Sequence, residues 1–375
     1  MRDLAPPSLD KIQPYKPKSI SESVVAEFNS SGGLHNLAAN ENPLGVSPKV
    51  LEILVNELPT KLHRYSISNQ EDLRTDLAKF YDIDSDWIHL GAGIEEILTH
   101  ISRVFISNHD DVILSEQTFP LYKVNNQLQG AMQHFVGLKK LTYDLDGFMN
   151  KIEEIPGAPR LIYLCNPNNP TGTIFNTKSF EKLLNRIPQE CIVILDEAYY
   201  EYVRDKEFPS GVNYLERIPR LIVTRTFSKA YGLAGLRVGY SIQHPDITKL
   251  LQKLKPLHSI NNLAEICARV ALSDQEHLCE VVQHCHNELD FLESQLLQFN
   301  TFEIEVLRGE ANFLICKLPL DASLFSSKLM RDFGLLVAPL NGFGLSQWIR
   351  ISPGLRSQNK RFLDGLKKIL EDLQC

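Results

Sequence analysis

The sequence predicts an α/β protein: a large unit with a mainly parallel central sheet flanked by helices, joined to a smaller α+β unit. Three observations carry this. Between about residues 87 and 240, short apolar runs of strand length alternate with amphipathic stretches of helical period. Each run ends in a polar, glycine-bearing or carboxylate-bearing loop, as strands of an open parallel sheet do. After Tyr240 the texture changes to long amphipathic helices and separated short apolar segments. The expected division is a large unit over 34–255 and a small one over 256–375, with residues 1–33 an N-terminal arm returning to the small unit.

Taken in order, the Pro- and Ser-rich arm has helical promise only near 20–28. Residues 40–45 read Asn-Glu-Asn-Pro-Leu-Gly, turn formers too polar for a strand. Pro48 starts a helix through Asn56, and 71–81 is another, with Leu73, Leu77 and Phe80 on one face. A strand over 87–90 runs into Gly91-Ala92-Gly93 and a helix over 94–105. Such a helix start presents free N–H groups and a positive dipole end to an anion, although a Gly-x-Gly by itself is more often a plain tight turn. A strand over 111–114 leads to the loop bearing Phe119 and a helix face over 121–128.

The strand over 161–165 is broken by Asn166-Pro167-Asn168-Asn169-Pro170-Thr171-Gly172, whose prolines and glycine fix the turn and its amides. A strand over 191–195 ends at Asp196, which reads either as a ligand group at the carboxyl end of a parallel strand or as a helix N-cap. The apolar run 221–223 then gives way to Thr226, Ser228, Lys229, glycines and Arg237. Beyond it come helices over 261–272 and 277–299, and apolar segments over 302–306 and 312–318. A helix over 323–333, short segments over 335–338 and 348–351 and a closing helix from Gln358 complete the chain.

The 375 residues are 43% hydrophobic and 23% charged, with a formal charge of −7 and a pI near 5.9. An acidic chain without runs of like charge does not replace counterions on nucleic acid or an anionic membrane. No apolar stretch of about 18 residues offers a membrane span, and the start lacks the apolar segment of a secretory signal, so the cytoplasm is expected. Seven scattered cysteines, never in a C-x-x-C pair, indicate reduced thiols. His277, Cys279, His284, Cys285 and His286 invite a metal, but helical spacing puts Cys285 on a core face with His284 and His286 pointing elsewhere, and no metal site is expected.

Alone, Lys229 is a solvated loop lysine. At the end of a buried strand it can instead be desolvated, which favours the neutral amine and makes it a Schiff-base nucleophile for a carbonyl cofactor. If that cofactor is pyridoxal 5'-phosphate, its ring nitrogen needs an acid, which Asp196 fits. Its phenolate oxygen needs donors, which Asn169 and Tyr199 supply, and its ring a face, which Phe119 offers. Its phosphate needs N–H groups, hydroxyls and a cation: the Gly93-Ile94-Glu95 turn, Thr226, Ser228 and Arg237.

With those residues in place, the chain resembles the fold-type I, pyridoxal-phosphate-dependent aminotransferases of class I/II, the histidinol-phosphate aminotransferases most closely. The resemblance spans nearly the whole length: QPYKP at 13–17, NLAANENPLGVSPKV at 36–50, HRY at 63–65, CNPNNPTG at 165–172, LDEAY at 195–199 and TFSKAYGLAGLRVGY at 226–240. It implies that Lys229 forms the internal aldimine and moves the proton between Cα and the cofactor, that Asp196 pairs with the pyridinium nitrogen, and that Tyr199 and Asn169 bind the cofactor oxygen. It further implies that Tyr65 reaches the phosphate of the neighbouring subunit, hence a homodimer with shared sites, and that Arg350 clamps an anionic group of the substrate, with Tyr15 and Asn42 nearby.

The implied reaction is a ping-pong transamination between an amine donor, histidinol phosphate first, and a 2-oxo acid such as 2-oxoglutarate. Other readings are an aminotransferase for an aromatic or other amino acid, a threonine-phosphate decarboxylase-like lyase, and a non-catalytic cofactor-binding module. The chain departs from the family pattern in four places. Ala338 stands where an arginine usually helps hold the substrate phosphate, a contact worth roughly 1.5–3 kcal/mol. Ser66-Ile67 replaces Pro-Asp after Tyr65, Ile94-Glu95-Glu96 replaces Ser-Asp-Glu, and Phe119 replaces a frequent tyrosine.

Overall fold

The structure is a computed structural model and describes residues 33–373 apart from 67 and 69; the arm, with Tyr15, lies outside the described residues. Strand β1 (His35–Asn36) is set apart from the central sheet. That sheet has seven strands: β2 (Ile88–Gly91), β3 (Asp111–Ser115), β4 (Met132–Val136), β5 (Leu161–Cys165), β6 (Ile192–Asp196), β7 (Leu221–Thr226) and β8 (Gly239–Gln243). Their spatial order is β2-β8-β7-β6-β5-β3-β4. Strands β3 to β7 are mutually parallel, and β8 runs antiparallel to both neighbours, so the expected mainly parallel sheet is present.

Strands β5, β6 and β7 are buried at every position, which is why they read as continuous apolar runs. Strand β4 is the edge strand, with Met132 exposed and Gln133 and His134 half-covered, and its mixed pattern carries no strand signal. The helix Ile94–Phe105 buries Ile94, Ile97, Leu98 and Ile101, one face of a 3.6-residue period. Helices Pro120–Leu128, Leu145–Glu154 and Thr177–Leu184 make the following crossovers, the last begun by Asn176, whose side chain accepts from Ser179 N–H. Cys165 pairs with Asp196, and Asp196 with Thr224, so β5, β6 and β7 end together at one edge of the sheet.

Strands β9 (Glu305–Arg308), β10 (Leu314–Lys317), β12 (Ala338–Pro339) and β13 (Trp348–Ile351) form a separate antiparallel sheet in the order β12-β13-β10-β9. Its core joins Phe313, Leu314, Phe325, Leu329, Phe362 and Leu366 from the strands and from helices Ala322–Phe333 and Arg356–Glu371. Strand β1 pairs in parallel with β11 (Leu335–Leu336), and Leu37 lies in this second core, so the chain enters the fold on the small unit's side. The helix Asn262–Ser273 buries Ala264, Cys267, Ala268, Ala271 and Leu272 in the first core. The first core therefore extends as far as Leu272.

One ion pair inside the first unit is fully enclosed: Arg225 on β7 donates Nη2 at 2.6 Å and Nε at 2.9 Å to Glu197 Oε2, just beyond β6. Losing either partner would strand a buried charge. The helix Gln275–Leu296 starts two residues before the expected point and stops three before it. Contrary to the sequence reading, His286 on that helix is buried; burial, then the Arg204 and Arg308 charges, hold its imidazole below the usual range. Among the described residues no group of His, Cys, Asp and Glu side chains is arranged to hold a metal, six cysteines are free, and no helix is long and apolar enough to cross a membrane.

Candidate active site

Lys229 lies in the turn beyond β7, with Gly232 N–H bonded back to its carbonyl. Its Nζ donates at 3.2 Å to the carbonyl of Ala39 and stands 5.9 Å from the centre of the Tyr199 ring. Burial pulls the amine down from 10.5 to about 8, the Arg350 and Arg237 charges add to the effect, and Glu41 and Glu95 oppose it. A substantial share of Lys229 is thus neutral near physiological pH, as a nucleophilic amine requires.

Asp196 closes β6 and is 3% exposed. Tyr122 donates its hydroxyl to Oδ2 at 2.6 Å and Ala198 N–H reaches Oδ1 at 3.1 Å. Burial pushes the Asp196 carboxyl up, and the Tyr122 hydrogen bond is the largest influence holding it down. Tyr122 is absent from the sequence reading. The available signal was a tyrosine on the buried face of an amphipathic helix, since a buried phenol requires a partner. Phe119 precedes that helix and is partly exposed, its ring edge-on to Tyr122 with centroids 5.6 Å apart.

Tyr199 accepts at 2.9 Å from the side-chain amide of Asn40, and burial pushes its phenol up to about 12, with the Arg350 charge opposing. Asn40, also missed, is buried and left-handed (φ +54°). It binds Ser352, two residues past Arg350, through both its backbone N–H and its side-chain oxygen. Neighbouring Asn42 is committed to its own turn: Nδ2 donates to Gly45 and Ala230 carbonyls and Oδ1 accepts from Leu44 N–H. Asn42 thereby pins the 42–45 loop beside the Lys229 turn.

Arg350 on β13 donates Nη1 to Asn169 Oδ1 and Nη2 to the Ala38 carbonyl at 2.8 Å, and its guanidinium stands 5.1 Å from the centre of the Phe313 ring. Asn169 is held by its neighbour Asn168, whose side chain bonds Thr118, the Gln117 carbonyl and Thr171. Ala338 pairs directly with Arg350 across β12 and β13, so the position opposite the guanidinium carries only a methyl group.

The remaining predicted residues form a cup. Gly93 caps the helix Ile94–Phe105 at φ +80°, and a β-carbon there would run into Arg237 Nη2. Gly239 at the start of β8 lets the backbone of Gly93 and Ile94 approach. Thr226 Oγ1 accepts from Ser228 N–H at 3.0 Å. Arg237 itself is left-handed at φ +56°, a strained backbone for a residue with a side chain. Its one ion pair is with Glu95 at 3.6 Å, between half-exposed groups, so it is weak enough for a bound anion to displace. The helix dipole, the hydroxyls of Thr226 and Ser228 and the Arg237 guanidinium together suit a phosphate, and the buried Asp196 suits a protonated ring nitrogen.

Tyr65 is the residue the fold does not bring to this group. It is 74% exposed and stacks on His258, ring centroids 4.0 Å apart.

Residues 33–366 match the family of aminotransferases of class I and II. The histidinol-phosphate aminotransferase 1 of Nitrosococcus oceani is 35% identical over 372 residues, 99% of this chain and 98% of that protein. Histidinol-phosphate aminotransferase 2 of Hydrogenovibrio crunogenus is 38% identical over 370 residues, 97% of this chain and 95% of that one. Among solved structures, the histidinol-phosphate aminotransferase of Sinorhizobium meliloti in complex with pyridoxal-5'-phosphate superposes with a TM-score of 0.87 at 25% identity, covering 98% of this chain and 97% of that one.

Proposed function

We infer the reaction from one premise: this chain belongs to the aminotransferase class I and II family. It is a pyridoxal 5'-phosphate-dependent aminotransferase of fold type I. The donor in our reading is histidinol phosphate and the acceptor 2-oxoglutarate, and the reaction runs in two halves in the cytoplasm. The observation that carries the reading is that Lys229, beyond the central sheet, and Arg350, from the small sheet, bond the adjacent carbonyls of Ala39 and Ala38, with Asp196 and Arg350 both acting on Tyr199, in a chain similar over its length to proteins that bear this name.

When bound, the cofactor supplies an aldehyde carbon and a protonated ring that accepts electrons from the substrate's α-carbon. Lys229 would hold the aldehyde carbon, and its Nζ, once displaced there by the donor's amine, would move the proton from the substrate's α-carbon to that carbon. Asp196, kept ionised by Tyr122, holds the ring-nitrogen proton. Asn169 and Tyr199 orient the ring through its oxygen, and Phe119 covers a face. Gly93, Ile94 and Glu95 offer backbone N–H groups to the phosphate, with Thr226, Ser228 and Arg237 beside them. Arg350 receives the anionic group of the substrate.

The active unit in this reading is a homodimer. Leu51 (54% exposed), Val55 (71%) and Leu62 (70%) form an open apolar stripe along and just past the helix Pro48–Lys61, with Leu257 (69%) and Tyr65 also exposed. A partner covering that stripe would receive Tyr65 near its own phosphate cup.

Steady-state kinetics with histidinol phosphate and 2-oxoglutarate test the substrate assignment, and turnover of that pair in clear preference to aromatic amino acids is expected. A second reading, an aromatic or other amino acid as donor, is favoured by Ala338 opposite Arg350, which leaves a single guanidinium there. No turnover of histidinol phosphate alongside good turnover of an amino acid would select it.

A further inference from the structure

A cavity of about 370 Å³ lies where the helix Glu71–Tyr81, the turn Tyr200–Tyr202, the segment around Tyr231 and the start of the helix Gln275–Leu296 meet. That size is typical of small-molecule sites. Its walls are largely aromatic, with Phe80, Tyr81, Tyr200 and Tyr231, and Glu201 is the charged side chain among its lining residues. None of the lining residues belongs to the cofactor site.

The charges around Glu201 do not balance. Neighbouring Glu197 is satisfied by Arg225 and by Gly211 N–H at 2.6 Å. Arg225 spends its other N–H groups on Tyr81 Oη at 2.9 Å and Ser210 Oγ at 3.0 Å, and its guanidinium carbon lies 3.4 Å from the centre of the Tyr200 ring. The one arginine of the cluster is therefore cancelled by Glu197. Glu201 remains: its carboxylate takes a hydrogen bond from its own backbone N–H, and its buried Oε2 has no donor among the described residues. Burial pushes its carboxyl up to about 7, with the Glu197 charge adding and Arg225 opposing. A desolvated carboxylate whose donor is its own backbone N–H keeps unmet hydrogen-bonding capacity, which a cation with N–H groups would satisfy.

An inorganic cation would need several oxygen ligands, whereas Glu201 is the one carboxylate among the lining residues and four of the ten are aromatic, whose ring faces attract organic cations. We propose that this cavity is a second ligand site that binds a small planar organic monocation, an amidinium, guanidinium or imidazolium, with its N–H groups on Glu201 and its ring among Phe80, Tyr81 and Tyr231.

Benzamidinium is a suitable probe, because it carries the charge and the ring but no aliphatic amine to compete for the cofactor. Calorimetric titration into the full-length holoenzyme at pH 8.5, where Glu201 is ionised, is expected to give one site per chain with the visible absorbance of the cofactor unchanged. Neutral benzamide and the Glu201→Gln variant should each bind at least tenfold more weakly. Val282→Trp, which fills the cavity from the helix and leaves Glu201 in place, should abolish binding with the melting temperature retained. Absence of binding, equal affinity for benzamide, equal affinity in both variants, displacement by millimolar sodium or potassium, or a change in the cofactor spectrum would each overturn the assignment.

Discussion

Replacing Lys229 by methionine in the cofactor-free protein isolates the cost of holding that ammonium. Burial, reinforced by the Arg350 charge, takes the amine from 10.5 to about 8. A depression of that size corresponds to about 3 kcal/mol between the charged and neutral forms, an upper figure because the side chain is partly open to solvent. The unfolded chain binds the proton up to pH 10.5, whereas the folded protein releases it near pH 8. Between those values the unfolded state carries more protons, so the wild type gains stability as pH rises; the penalty is present in full below pH 8 and gone above 10.5. Lys229→Met has no such group. Urea unfolding of both proteins from pH 7 to 10 should therefore show the difference in unfolding free energy moving by about 2 kcal/mol in favour of the wild type, and levelling off below pH 8. A difference that stays constant from pH 7 to 10 would refute the assignment of a depressed amine to this position.

Other perturbations test other parts of the site. Tyr122→Phe removes the donor that opposes the burial of Asp196, so the acid limb of the kcat profile should move to higher pH, and kcat at a fixed pH on that limb should drop by about 10- to 100-fold, from a charge-assisted bond of roughly 1.5–3 kcal/mol. An unmoved acid limb would show that Tyr122 does not set the ionisation of Asp196. Gly93→Ala places a β-carbon against Arg237 at a left-handed residue, and should weaken cofactor affinity by about 1–3 kcal/mol in an absorbance titration. Wild-type affinity in that variant would count against the phosphate cup. Val55→Asp introduces a charge into the exposed apolar stripe and should give a monomer in sedimentation velocity, with weaker cofactor retention; a wild type already monomeric would remove the basis for shared sites.

The cofactor residues were legible because they fall at strand ends in short runs of unusual chemistry: Asp196 closes β6, Thr226 closes β7, and Lys229 follows three residues on. Strands β5 to β7 announced themselves because burial on both faces demands an uninterrupted apolar run. Strand β4 did not, because at the sheet edge Gln133 and His134 are partly covered while Met132 and Phe135 are exposed, which leaves neither an apolar run nor a clean alternation. Tyr122 and Asn40 act on partners 74 and 159 positions away, and no local pattern reports such a pairing. Asn40 and Asn42 both sit in a polar turn, and only the fold decides which side chain is buried against Tyr199 and which closes the turn. His286 was misplaced because two units pack on the helix Gln275–Leu296 and widen its buried arc beyond a single stripe.

The central claim is that Lys229, Asp196 and Arg350 form one transaminating centre for a phosphorylated amine. A half-reaction tests it most directly: holoenzyme mixed with histidinol phosphate in stopped flow, with no oxo acid present. The account predicts that the visible band of the cofactor is lost with one equivalent of keto product per site, that 2-oxoglutarate restores the band, and that Lys229→Ala shows neither change. Release of carbon dioxide, or an unaltered spectrum with histidinol phosphate beside a full response to an aromatic amino acid, would contradict it.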